Sequence, residues 1–353
     1  MSRFFSEKYA ALTPYVPGEQ PRDMKYIKLN TNESPFPPSP QALFAAREAA
    51  GRLQLYPDPT YRALHESLAA YHGVGVDEVL VTNGSDEILN FAFMAFCDEA
   101  HPAVFPDITY GFYSVFATLN HVPLREIPLR PDFSVRVEDY LTAGGTIFIA
   151  NPNAPTGLCL SLADIERVVA SDPTRVVVVD EAYVDFGGES AIPLTKKYDN
   201  LLVTRTFSKS RSMAGARLGY GVGNAALIAD LNTVKYSTNP YNVNSMSAAA
   251  GLGAMADEAY TQKNCQTVIE NREYTKSALE ALGFLLTESK GNFLFAMHPL
   301  VPGKEIYLEL KKRGILVRHF DREPIAQYNR ITVGTREEMQ ALIDTLTDIL
   351  GGN

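Results

Sequence analysis

Short apolar runs bounded by polar turns recur through the first two thirds of this chain, at 79–82, 103–105, 146–150, 176–180, 201–206 and 218–222. The run Val176-Val177-Val178-Val179 has no polar position at all, as expected of a parallel strand covered on both faces. Stretches of helical character separate these runs. The alternation predicts an α/β fold with a mainly parallel, doubly wound sheet. The clearest break is the Pro-rich segment Ser34-Pro35-Phe36-Pro37-Pro38-Ser39-Pro40, followed by a helix-like run over 41–54. From about residue 255 the rhythm changes, and a helix-like stretch at 261–281 leads to strand candidates at 293–297, 315–317 and 331–333. These boundaries predict a large domain of residues 41–254, a smaller α/β domain of residues 255–353, and an N-terminal segment of residues 1–40 packing with the smaller one. A site between the two domains is expected.

The candidate chemistry sits at the ends of the predicted strands. After the run 201–206 comes Phe207-Ser208-Lys209-Ser210-Arg211-Ser212-Met213-Ala214-Gly215-Ala216-Arg217, which places an amine, hydroxyls and a guanidinium in one short loop. Pyridoxal phosphate needs this set: an amine to condense with its aldehyde and donors for its phosphate. By itself the loop also has an ordinary reading, a surface turn with basic residues. Asp180 ends the all-valine run, where ligands of open α/β sheets bind, and can pair with a protonated pyridine nitrogen; a strand-ending Asp is also a common helix N-cap. Tyr183, three residues on, can donate to the ring oxygen. Thr82-Asn83-Gly84-Ser85-Asp86 reads as a tight turn into a helix start, either a phosphate cradle or a stretch capped by Ser85 or Asp86.

Together these segments resemble the fold-type I aminotransferases, which use pyridoxal phosphate, and within them the histidinol-phosphate aminotransferase branch. The resemblance spans nearly the whole chain. It is carried, in order, by Leu29-Asn30-Thr31-Asn32-Glu33, Tyr56-Pro57-Asp58-Pro59, Asn83-Gly84-Ser85-Asp86-Glu87, Thr109-Tyr110, Asn151-Pro152-Asn153-Ala154-Pro155-Thr156-Gly157, Asp180-Glu181-Ala182-Tyr183, the lysine loop, and Arg330-Ile331-Thr332-Val333-Gly334-Thr335. It implies that Lys209 bonds the cofactor and then shuttles the proton, that Asp180 pairs with the pyridinium, and that Tyr183 contacts the ring oxygen. It further implies that Tyr110 stacks on the ring, that Ser85, Asp86, Ser208 and Arg217 hold the phosphate, and that Tyr56 reaches the cofactor of a neighbouring subunit in a homodimer. Tyr15, Asn32, Arg318 and Arg330 are the implied substrate contacts. The implied reaction converts histidinol phosphate and 2-oxoglutarate into imidazole acetol phosphate and glutamate. The chain departs from the family in two places. Ala154 stands where an Asn usually supports the ring oxygen, which leaves Tyr183 alone, Asn153 or a water to do so. Arg211 replaces an apolar residue, and a solvated side chain is expected there. Arg318 and Arg330 also have an ordinary reading, as surface arginines paired with Asp321 or Glu323.

Composition narrows the rest. The chain has 353 residues, is 46% hydrophobic and carries a net charge of -9, with no basic run that suggests nucleic acid. No stretch approaches the roughly 18 apolar residues of a membrane helix, and the first residues lack a signal-peptide core. Cys97, Cys159 and Cys265 are scattered, which fits a reducing cytoplasm, and the six histidines show no metal-ligand spacing. A nicotinamide-binding reading rests on Gly221-Val222-Gly223-Asn224-Ala225-Ala226 and a second such match at 251–256. Neither is followed by the required strand-ending acid. A non-catalytic regulator that binds pyridoxal phosphate lacks room for a DNA-binding segment before residue 30. Aromatic aminotransferases and threonine-phosphate decarboxylases share most of the quoted residues and stay open as alternatives.

Overall fold

The computed structural model describes residues 2–351. Its strands are β1 (Ile27–Leu29), β2 (Val79–Thr82), β3 (Ala103–Pro106), β4 (Leu124–Ile127), β5 (Thr146–Ala150), β6 (Val177–Asp180), β7 (Leu201–Thr206), β8 (Gly219–Gly223), β9 (Leu285–Leu286), β10 (Phe293–Met297), β11 (Ile315–His319) and β12 (Asn329–Thr332). Seven of them form one sheet in the order β2-β8-β7-β6-β5-β3-β4, in which only β8 runs against its neighbours. The apolar runs explain why this sheet is covered on both sides. Val177 and Val179, Ile147 and Ile149, and Leu201 and Val203 point into one core, while Val178, Phe148 and Leu202 between them point into the other.

A second sheet, β1-β11-β12-β10-β9, packs its inner residues Leu294, Ile315, Val317 and Ile331 with Leu279, Leu310, Met339 and Leu346 of the helices Glu258–Ala281, Gly303–Lys312 and Arg336–Gly351. β1 runs parallel to β11, with Ile27 opposite Ile315, so the N-terminal segment is built into this second sheet. No described helix is long and apolar enough to cross a membrane.

Several expected boundaries move, each for a physical reason. The helix expected over 41–54 spans Pro40–Ala50; Ser39 caps it and Pro40 starts it, so the Pro-rich break doubles as a start signal. β4 was not expected, because Leu124, Arg125 and Glu126 are exposed on a sheet edge and show no buried face. The long helix begins at Glu258, three residues before the expected 261. β11 continues through His319 and β12 starts at Asn329, which places Arg318 and Arg330 inside strands, directly opposite each other.

Candidate active site

The carboxyl ends of β6 and β7 open into a cavity of about 340 Å³ lined by Ser85, Tyr110, Asp180, Tyr183, Lys209 and Arg217, among others. Asp180 lies at its floor. The chain supplies its carboxylate with hydroxyls: Thr204, its register partner on β7, donates at 3.1 Å and Tyr113 at 3.2 Å. Burial pushes the Asp180 pKa up to about 6 against the hydrogen bonds of Thr204 and Tyr113. Among the described residues no cationic side chain pairs with it. A buried carboxylate held only by neutral donors is electrostatically incomplete and suits a cationic ligand.

Lys209 enters from the loop after β7. Its Nζ donates to the Thr31 carbonyl at 3.3 Å and lies 5.7 Å from the centre of the Tyr183 ring. Burial, followed by the nearby Arg330 charge, lowers the Lys209 pKa to about 8. The Tyr183 hydroxyl accepts from Asn32 Nδ2 at 3.0 Å, which leaves its own proton free for a ligand.

The segment 82–86 forms the expected tight turn into a helix start. Gly84, at φ 81°, leads into the helix Ser85–Phe96, and no side chain caps that helix, so the capping reading of Ser85 and Asp86 fails. The free N–H groups of its first turn suit an anion. A Cβ on Gly219 would lie 2.4 Å from Ser85 N, so only glycine lets β8 pass this close to the turn. The Asp86 carboxylate is a pivot rather than a ligand. One oxygen accepts from the Tyr110 hydroxyl at 2.6 Å, the other from Arg217 Nη2 at 2.8 Å, so an aromatic ring and a guanidinium are held by one acid. Ser208 Oγ lies 2.9 Å from the hydroxyl of Thr206, which also lines the cavity.

A neighbouring cavity of about 380 Å³ shares Thr31, Tyr110, Ala154, Tyr183 and Lys209 with the first. Arg330 and Arg318 line it. Arg330 Nη2 donates to the Asn30 carbonyl at 3.1 Å, while its buried Nε has no partner. Arg318 donates to the carbonyls of Pro17 and Val16 at 3.2 and 3.1 Å. Neither arginine pairs with Asp321 or Glu323, and Asp321 instead holds Lys304. Tyr15 lines the same cavity with its ring stacked on Phe112 at 4.3 Å.

Other residues stand elsewhere. Asn32 is fully buried and lines neither cavity; besides Tyr183 it holds Thr332, so it positions Tyr183 instead of touching a ligand. Asn153 cannot replace the missing Asn at Ala154. Its Nδ2 donates to the Ile108 carbonyl and Thr156 Oγ1, and its Oδ1 accepts from Thr109. Arg211 is buried, not solvated: it donates to the Ala254 carbonyl and Thr261 and pairs with Glu258 at 2.7 Å, fastening the lysine loop to the long helix. Beneath the same loop, Asp185 accepts from Ser210 and pairs with buried Arg205, which also meets Glu181. Tyr56 lines neither cavity. It is 81% exposed and stacks on Tyr241 at 4.6 Å. Thr204, Tyr113 and Arg322, which also lines the second cavity, were not singled out from the sequence. For Thr204 a signal existed, since it faces Asp180 in the strand register.

The chain matches the family model of class I and II aminotransferases over residues 24–346. It is 47% identical over 352 residues to a histidinol-phosphate aminotransferase of Brachyspira hyodysenteriae, covering 99% of either chain. With a histidinol-phosphate aminotransferase of a Marinomonas species the identity is 50% over 351 residues, covering 98% of this chain and 99% of that one. The crystal structure of a Sinorhizobium meliloti histidinol-phosphate aminotransferase in complex with pyridoxal-5'-phosphate superimposes with a TM-score of 0.89. It covers 100% of this chain and 99% of that one, and at 23% identity the likeness concerns the fold.

Proposed function

Because the chain belongs to the class I and II aminotransferases, we propose that it transfers the amino group of histidinol phosphate to 2-oxoglutarate, giving imidazole acetol phosphate and glutamate in histidine biosynthesis, with pyridoxal phosphate as cofactor. The carrying observation is the placement of Lys209 between an unpaired buried acid, Asp180, and an arginine pair, Arg318 and Arg330, in one continuous cleft.

The residues fit the cofactor on the structure's own terms. The uncapped helix start at Ser85 and Asp86, with Ser208 and Arg217 beside it, suits the phosphate. Asp180 lacks the cation that a pyridinium brings. When bound, the cofactor supplies an aldehyde that condenses with amines and a protonated ring that withdraws electrons from the substrate's amine-bearing carbon. Lys209 Nζ would take that carbon's proton and deliver it to the former aldehyde carbon, a 1,3-proton shift for which an amine with a pKa near 8 is suited at neutral pH. Tyr183, oriented by Asn32, offers its hydroxyl proton to the ring oxygen without help from Asn153. Tyr110, held by Asp86, covers one side of the site. Arg330 and Arg318 bind the anionic ends of the two amino substrates in turn, each with a planar fork that matches carboxylate or phosphate. Tyr15 closes the outer wall.

Tyr56 points out of its own subunit, and Leu53, Leu55 and Tyr241 near it are also exposed. This supports a homodimer in which Tyr56 completes the neighbour's phosphate site. Lys209→Ala tests the central assignment. The variant keeps the phosphate and Asp180 contacts, so it binds the cofactor, but turnover falls by at least about 10²–10⁴-fold, the usual loss of a general acid–base. Near-normal transamination in this variant sinks the assignment. A panel of histidinol phosphate, phenylalanine and threonine phosphate decides the substrate, and preference for either of the latter two overturns it.

A further inference from the structure

The substrate half of the cleft has an uneven charge balance. Lys209, Arg318, Arg322 and Arg330 line it, and no Asp or Glu does. Of the acids near these cations, Glu19 holds Lys311 and Tyr307, the Asp107 carboxylate accepts from the Leu129 amide, Asp321 holds Lys304, and Glu33 and Asp86, the two that act on Lys209, hold Lys28 and Arg217. Arg318 and Arg330 sit opposite each other on adjacent strands, and both guanidiniums lie near the Phe320 ring, at 5.8 and 5.9 Å. Like charges gathered without counter-charge are costly, and a ligand carrying more than one negative charge removes that cost.

Arg322 differs from the other two arginines in where it stands. It lies on the loop between β11 and β12, is exposed, and donates from Nη2 to the Asp107 carbonyl at 3.2 Å. Asp107 directly follows β3 of the larger sheet, so this arginine spans the cleft mouth from the smaller sheet to the larger. Its remaining N–H donors are free for a ligand. A carboxylate offers two oxygens and one charge, which the Arg318–Arg330 pair can satisfy. A phosphate dianion offers a third terminal oxygen and a second charge, and needs another fork. We propose that Arg322 is a third anion-binding arginine that selects the phosphate end of the amino substrate over the carboxylate of glutamate. This rests on the substrate reading given above.

Arg322→Gln in the holoenzyme tests the idea. Its side chain is exposed and makes a single hydrogen bond, to a loop carbonyl, so the variant folds. The ratio of kcat/KM for histidinol phosphate to that for glutamate falls at least about tenfold, the size expected on losing a charge-assisted hydrogen bond, with the change in KM rather than kcat. A purely structural role does not alter the pH profile, and here it changes. KM for histidinol phosphate in the unaltered enzyme drops as pH rises through the phosphate's second ionisation near roughly 6, and this dependence flattens in Arg322→Gln. Arg322→Lys restores part of it, as a point charge without the fork. Equal losses on both substrates, an unchanged pH profile, or no loss at all overturns the proposal. Arg318→Gln separates the two levels. If it weakens histidinol phosphate while Arg322→Gln does not, only Arg322 is misassigned; if neither does, the substrate reading itself falls.

Discussion

Lys209 should behave as a reactive amine at neutral pH even before the cofactor is present. Burial and the Arg330 charge lower its pKa from 10.5 to about 8. At pH 7.5 an amine with a pKa of 8 is about a quarter neutral, against about 0.1% for one at 10.5, a difference of roughly 200-fold in the reactive form. Reductive methylation of the cofactor-free protein at limiting reagent, read by peptide mass spectrometry, measures this directly. The Lys209 rate should rise about tenfold per pH unit up to roughly 8 and then level off. Arg330→Met removes the second cause of the shift and should move the plateau to higher pH. Linkage gives an independent check. The folded chain holds this proton less tightly than the unfolded one, so cofactor-free stability should rise as pH climbs from about 8 towards 10.5, while below 8 the cost is constant. A labelling rate still climbing tenfold per unit through pH 10 refutes the electrostatic account of this residue.

Gly219→Ala should displace the phosphate turn, because its Cβ would meet Ser85 N at 2.4 Å. Overpacking of this kind costs about 1–3 kcal/mol, and equilibrium dialysis should show cofactor binding weaker by about fivefold to a hundredfold; unchanged affinity means the turn is not the cradle. Tyr56→Phe should hasten cofactor release by the loss of one phosphate hydrogen bond, roughly 0.5–3 kcal/mol, and a fully active monomer in sedimentation rejects the dimer outright. Arg330→Lys keeps charge but loses the fork, so kcat/KM should drop in both half-reactions by about tenfold to more than a hundredfold. If glutamate turnover is untouched, its carboxylate binds elsewhere.

The larger sheet was legible because its strands are buried on both faces, so the apolar runs of 146–150, 176–180 and 201–206 nearly coincide with β5, β6 and β7. β1 and β4 were not, since three residues and an exposed edge leave no such trace. Lys209, Asp180 and Arg217 stood out because their segments resembled a known family. The supports of that site did not. Tyr113 reaches Asp180 across the tertiary fold with nothing in local spacing to mark it, and Thr204 is marked only by the pairing of β6 with β7. Arg211 looked solvated because its partners, Ala254, Glu258 and Thr261, lie more than forty residues away on two other helices. Asn32 belongs near the site, as its segment suggested, but it serves the tyrosine and not the substrate. Its left-handed backbone, at φ 53°, turns the side-chain amide onto Tyr183.

The pairing of β1 with β11 has a consequence for how the cleft comes into being. Residues 27–33 leave the ribosome early, yet Ile27 lies against Ile315 and the Thr31 carbonyl against Lys209. At synthesis rates of about 5–20 residues per second, the strand partner of β1 emerges roughly 15–60 s later. Late in that interval, once Gly223 has been made, the seven-stranded sheet has all its strands, but the tether on Lys209, the partner of Tyr183 and the arginine pair are absent or undocked. Such long-range contacts also slow folding, because a large loop must close before they reward it. Competence to bind substrate therefore arrives last, as a property of the finished chain, and truncation from either end should leave a folded sheet without a working cleft.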